Sequence, residues 1–115
     1  MKNLPIIIIG SGGHAKVVLE ALKLQSATVL GLTDSSQDKI GETVQGIPVL
    51  GNDEIIFSHS PSSIRLVNGI GAVGSESKRK AISDSFSHRG YEFATVIHPS
   101  SIVSSTARIG NGAQI

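Results

Sequence analysis

The sequence predicts an α/β fold: an open, mostly parallel sheet flanked by helices, followed by the beginning of a parallel β-helix. Three observations predict it. An aliphatic run, Ile6 to Ile9, stops at a glycine cluster and gives way to helical periodicity. A second strand–glycine–helix passage follows around Gly69–Gly74. The last residues change to a six-residue period. With 39% hydrophobic residues in 115, the chain can bury a core without disulfide or metal staples.

The elements follow in order. Leu4 to Ile9 is apolar on both faces and almost all β-branched, which suits a central parallel strand. Gly10-Ser11-Gly12-Gly13 breaks it. From about Gly13 to Leu24, Ala15, Val18, Leu19 and Leu22 fall on one helical face and Lys16, Glu20 and Lys23 on the other. Thr28 to Leu32 is a second strand, closed by Thr33-Asp34-Ser35-Ser36. Ile47 to Leu50 is a short extended piece between Gly46 and Gly51, and Asp53-Glu54 opens a short helix through Phe57. Ile64 to Asn68 is a third strand. Ser75 is placed to cap a helix running to about His88, with Glu76 in its first turn, Ile82 and Phe86 on its apolar edge and Gly90 at its end. Glu92 to Ile97 is a last strand. This alternation argues a parallel sheet with helices on both faces, in which ligands bind beyond the carboxyl ends of the strands.

Composition narrows the functions open to such a fold. Ten Lys+Arg against nine Asp+Glu give a net charge of +1, no electrostatic basis for binding nucleic acid or an anionic membrane. The scarcity of aromatics, one Tyr and three Phe, argues against a stacking platform for single strands. No cysteine is present, so thiolate chemistry and disulfides are excluded, and a reducing compartment, the cytoplasm, is expected. The run around Ile6–Ile9 is too short to span a membrane, and no small-residue cleavage site follows it, so neither membrane insertion nor a signal peptide is expected.

The first glycine cluster is the sharpest chemical signal. Gly10, Gly12 and Ala15 have the G-x-G-x-x-A spacing between strand and helix. Glycines allow a tight turn and close approach of the backbone to a ligand, and the helix start presents N–H groups to a phosphate. Asp34 stands at the corresponding end of the second strand, where an acid can accept a ribose hydroxyl. Together with the second glycine cluster on the same sheet edge, this favours a phosphate-containing nucleotide over a turn without a ligand. His14, at the start of the helix, reads as a neutral contact to phosphate or sugar. His59, in a serine-rich loop, and His88, at a helix end, read as solvated. No two histidines have metal-ligand spacing, so no metal site is expected. The run Lys78-Arg79-Lys80 reads as a solvated helix face; the alternative is that it points toward a phosphate, since it follows the second glycine cluster by a few residues.

The tail differs in kind. Val103, Ile109 and Ile115 recur every six positions, and Ala107 and Ala113 keep the same interval. That is the pattern of a hexapeptide-repeat parallel β-helix, with aliphatic residues pointing inward and small residues at the corners. Three hexapeptides make one coil, so the sequence is expected to hold only the start of one. The domain reading is therefore 1–97 for the nucleotide-binding part and 98–115 for the beginning of the β-helix.

Three segments carry a resemblance to a known family. They are Ile-Ile-Ile-Ile-Gly-Ser-Gly-Gly-His-Ala-Lys-Val-Val (6–18), Gly-Ile-Gly (69–71) with Arg79 after it, and the stretch from Ile97-His98-Pro99 to Ile115. The sequence resembles the sugar acetyltransferases of the sialic acid O-acetyltransferase and UDP-bacillosamine N-acetyltransferase type. The resemblance implies a Rossmann-like domain holding a nucleotide sugar, a UDP-sugar foremost, followed by a left-handed β-helix. It implies transfer of acetyl from acetyl-CoA to a sugar amine or hydroxyl in surface glycan biosynthesis, by a homotrimer. Carried over by position, Gly10, Ser11, Gly12, Gly13 and His14 line the nucleotide-sugar site, Asp34 approaches the nucleoside, and Gly69, Ile70 and Gly71 face it from the next strand. The family's general-base histidine and most of its acetyl-CoA surface lie further along the β-helix than this sequence reaches. His98 matches the His-Pro step and not that base, so no residue here takes a catalytic role, and the chain alone is expected to transfer no acetyl. The alternative from another class is a small regulatory module binding NAD or another dinucleotide, which the G-x-G-x-x-A spacing and Asp34 also fit. A third is an interaction domain whose glycine loops are only turns.

Overall fold

The computed structural model describes residues 4–69 and 76–94. The aliphatic run forms β1, Ile6–Ile9, and all four residues are buried. Consecutive strand residues point to opposite faces, so a strand buried throughout needs an apolar layer on each side. Both layers are present. Ile6 and Ile8 pack with Ala15, Val18, Leu19 and Leu22, whereas Ile7 and Ile9 pack with Ile56, Ile64, Leu66, Phe86 and Tyr91.

The first layer is covered by α1, Gly13–Leu24, whose buried residues include the expected stripe. The second is covered by a six-residue 3-10 helix, Asp53–Ser58, and by α2, Glu76–His88, through Ile56 and Phe86. Helices thus lie on both faces of the sheet, as the alternation predicts.

The other strands are β2, Val29–Thr33, β3, Thr43–Val44, β4, Ile47–Gly51, and β5, Arg65–Asn68. The sheet order is β3-β4-β2-β1-β5. All pairings are parallel except β3 with β4. The chain steps outward from β1 through β2 to β4, then crosses back to place β5 on the other side of β1. The order therefore reverses between β1 and β5, and a crevice at such a reversal, beyond the carboxyl ends of the strands, is where open α/β sheets bind ligands.

Three details differ from the sequence reading. β2 is displaced by one residue, so Thr33 belongs to the strand and is fully buried instead of opening the loop. β3 was not expected. It exists because Gln45 and Gly46, at φ 51° and 84°, make a left-handed two-residue turn that folds Thr43–Val44 back onto β4. Of the expected strand from Glu92, the described part reaches Ala94 and makes one parallel bridge, Phe93 to Leu66, beside β5; residues 95–97 lie outside the described residues, as do Ser75 and the six-residue repeats.

The two long helices end alike with different residues. After α2, Tyr91 N–H donates to the Phe86 carbonyl at 3.1 Å and Gly90 N–H to that of Ser87 at 3.0 Å, with Gly90 at φ 92°. After α1, Ala27 N–H donates to Leu22 at 3.0 Å and Ser26 N–H to Lys23 at 3.1 Å, so Ser26 occupies the same left-handed position at φ 59°. A side chain there is strained where glycine is not. Ser26→Gly is accordingly expected to stabilise the chain by about 0.5–1 kcal/mol after the greater unfolded-state entropy of glycine is subtracted. Thermal melting should show a rise of a few degrees; an unchanged or lower midpoint would contradict this reading of the helix end.

Candidate functional site

The turn after β1 sits at the reversal point. Gly10 is at φ 98°, a conformation that side chains rarely adopt, and it aims the chain away from the strand. Gly12 caps α1 with extended backbone, φ −81° and ψ −161°. Being glycine, it supplies no capping oxygen, and the first turn holds no acidic residue. No acidic side chain of α1's own first turn thus offsets the positive end of its dipole, and the start of the helix keeps its N–H groups for an acceptor. Gly12 and Gly13 are exposed, and a Cβ built on either would meet nothing within 4 Å. Neither glycine is required by packing, and both leave backbone open to close approach. His14, the second residue of α1, is half-buried.

Gly69, at the end of β5, is glycine for a different reason. It is buried, and a Cβ there would lie 2.7 Å from Ile8 Cγ2, 2.8 Å from the Ile9 carbonyl oxygen and 2.9 Å from Ala15 Cβ. Its N–H donates to that Ile9 carbonyl at 2.8 Å. The missing side chain lets β5 continue alongside β1 while the start of α1 packs down on both. Ile70 and Gly71 lie outside the described residues.

The turn is held from the β2 side. The Ser11 hydroxyl, nearly buried, donates to Asp34 Oδ2, and Ser36 N–H donates to Asp34 Oδ1 at 2.8 Å. Asp34 N–H donates in turn to the Gly51 carbonyl at 2.9 Å, tying this corner to β4. Gly10, Ser11, Gly12, Gly13, His14 and Asp34 are thereby brought to one edge of the sheet, with Gly69 beneath them. A groove of about 370 Å³ runs between the Asp53–Ser58 helix and α2, lined by Asp53, Phe57, Ile82, Phe86 and Arg89 among others.

The family described as the PglD N-terminal domain matches residues 5–86 of this sequence. The chain belongs to that family. Over its whole length it is 34% identical to the UDP-N-acetylbacillosamine N-acetyltransferase of Bacillus subtilis (strain 168), covering 51% of that protein. Its fold is similar to the acetyltransferase domain of PglB from Neisseria gonorrhoeae FA1090, solved with acetyl coenzyme A, at a TM-score of 0.85 and 29% identity, over 98% of this chain and 53% of that one. It is also similar to PerB from Caulobacter crescentus, solved with CoA and GDP-perosamine, at a TM-score of 0.82 and 33% identity, over 96% and 50%. The chain thus spans about half the length of the relatives it matches.

In this PglD N-terminal domain, sequence patterns identified the glycine turn and Asp34 but not what holds them. Thr33 reads as a loop residue and Asp53 as a helix start. In the structure the buried Thr33 hydroxyl donates to Asp53 Oδ1 at 2.7 Å. Asn68, also buried, donates through Nδ2 to the Ser83 hydroxyl at 3.1 Å and so links the end of β5 to α2. A polar residue at the end of an apolar strand was the available signal for both Thr33 and Asn68, since a buried polar group is retained only with partners.

Asp34 carries the one resolved shift in acidity among the described residues. Partial burial pushes its carboxyl up, but the hydrogen bonds from Ser11 and from the Ser36 N–H, with the positive charge of Lys39, outweigh that and hold it below the ordinary carboxylate range. A carboxyl that binds its proton more weakly when folded stabilises the fold once ionised, above an unfolded value of about 3.9. That contribution is lost as the pH falls through the lower, folded value. Denaturant unfolding of the parent and of Asp34→Asn should therefore show the parent's advantage in full near neutral pH and shrinking below about pH 4. An advantage that is constant or grows on acidification would show that Asp34 is not held ionised by these contacts.

Proposed function

We propose that this chain is the nucleotide-sugar-binding part of an acetyl-CoA-dependent sugar acetyltransferase, and that the turn Gly10–Gly13 with His14 receives the nucleotide phosphates. The observation that carries the reading is the open glycine turn. It places unobstructed backbone and the start of α1 at the point where the strand order reverses, in a chain 33% identical to a protein solved with GDP-perosamine. In this reading Asp34, which holds Ser11 and keeps lone pairs on both oxygens, approaches the nucleoside, and Gly69 with Ile70 and Gly71 forms the opposite wall.

The reaction assigned is transfer of acetyl from the co-substrate acetyl-CoA to an amine or hydroxyl of the sugar, in surface glycan biosynthesis in the cytoplasm. No helix among the described residues is long and apolar enough to cross a membrane. The chemistry falls to the part of the relatives that this chain does not span. There the resemblance places a left-handed β-helix, begun by the repeats at Val103, Ile109 and Ile115, and a homotrimer whose neighbouring β-helices enclose the acetyl-CoA site. A general base must reach the attacking amine or hydroxyl, and no residue of this chain is assigned that role. The dinucleotide module is the weaker reading, because the relatives found are acetyltransferases.

Gly12→Val tests the site directly. The Gly12 backbone is compatible with a side chain and its Cβ would point into open space, so the variant should melt close to the parent. Calorimetric titration with UDP and with GDP should show binding by the parent to at least one and a loss of at least about tenfold in the variant. Equal affinity in the folded variant would place the phosphates elsewhere. Binding of NAD in preference to both nucleotides would support the dinucleotide reading.

A further inference from the structure

Two hydrogen-bonded chains tie the turn after β1 to the end of β2. The first, through Ser11, Asp34 and Ser36, belongs to the site already described. The second uses two residues that neither the glycine pattern nor the likeness to other proteins assigns. The Thr33 side chain is fully buried. Its hydroxyl donates to Asp53 Oδ1 at 2.7 Å and accepts from Gly10 N–H at 3.4 Å. The bond to Asp53 is short and has a carboxylate acceptor, which makes it the stronger of the two. A hydroxyl has one proton and two lone pairs. With its proton held by Asp53, the oxygen meets the Gly10 N–H with a lone pair. Released, it can rotate and turn its proton toward that N–H, where two donors face each other. Asp53 begins the helix that follows β4, so three segments of the chain meet on one buried hydroxyl.

We propose that Thr33 and Asp53 are positioning residues of the nucleotide site. Asp53 sets the direction of the Thr33 hydroxyl, Thr33 sets the Gly10 peptide, and the Gly10 peptide sets the direction in which the turn presents its backbone to phosphate. The proposal rests on the nucleotide-binding reading above. It differs from a purely structural role because the two residues act in series on one N–H. Removing either has the same effect, and removing both adds nothing.

The test uses the 115-residue chain as Thr33→Val, Thr33→Ser, Asp53→Ala, which removes the oxygen that accepts from Thr33, and the Thr33→Val/Asp53→Ala double variant. Two quantities are read: hydrogen exchange of the Gly10 amide by NMR, and affinity for UDP and GDP by calorimetry. Thr33→Val and Asp53→Ala should each speed Gly10 exchange and weaken the nucleotide about two- to tenfold, the range for loss of one hydrogen bond. The double variant should match Thr33→Val, and Thr33→Ser should restore both readings. Parent affinity and parent exchange in the folded single variants would overturn the proposal, as would additive losses in the double variant. Asp53 is only half-buried, so Asp53→Ala carries the test if Thr33→Val does not fold. If the parent binds neither nucleotide, the nucleotide reading fails. Unchanged Gly10 exchange in the variants would then separately overturn the relay.

Discussion

Ile6, Ile7, Ile8 and Ile9 have no side facing water. Two of them enter the layer under α1 and two the layer under α2, and the strand bonds to β2 along one edge and to β5 along the other. At roughly 1.5–3 kcal/mol for each buried aliphatic side chain, these four residues contribute more than any polar contact in the molecule. A strand buried on both faces cannot slip in register without moving apolar side chains between layers. Its end is therefore fixed, and so is the point from which the glycine turn departs.

From that fixed point the remaining geometry follows. Gly10 turns the chain at positive φ, Gly12 starts α1 without a capping side chain, and Ala15 at once returns to the core under Gly69. The six residues from Gly10 to Ala15 thus meet opposite demands, open backbone outside and close packing inside. Small residues satisfy both. Thr33 and Asp34, at the end of the neighbouring strand, hold the two residues of the turn nearest them through one hydroxyl and one carboxylate. The position of the turn is a product of strand order: because β5 lies on the far side of β1, the turn stands where that order reverses.

Much of this was legible in the sequence because the strongest signals are also the simplest. The Ile6–Ile9 run, the α1 stripe and the glycine after α2 each follow from a single period or a single residue type. β3 was not legible. Its two residues carry no pattern, and its turn uses Gln45 where asparagine or aspartate would have announced it. Thr33 reads as loop because a hydroxyl beside Asp-Ser-Ser resembles turn composition; pairing with Ile9 and Gly51 makes it part of the strand, and Asp53 satisfies its buried hydroxyl. The glycines show the limit most clearly. Gly12 and Gly69 look alike in sequence, yet the first is open to solvent and the second is enclosed by Ile8, Ile9 and Ala15, a distinction set by residues distant in the chain.

Nucleotide is proposed to bind at the reversal point between β1 and β5, on the turn that β1 holds in place. The most direct measurement is amide chemical-shift mapping of the isotopically labelled chain during titration with GDP and UDP. Saturable shifts are expected, centred on Gly10 to His14 and extending to Asp34 and Gly69, with the groove at Phe57, Ile82 and Phe86 unaffected. Shifts centred on that groove, or no saturable shift with either nucleotide, would contradict it.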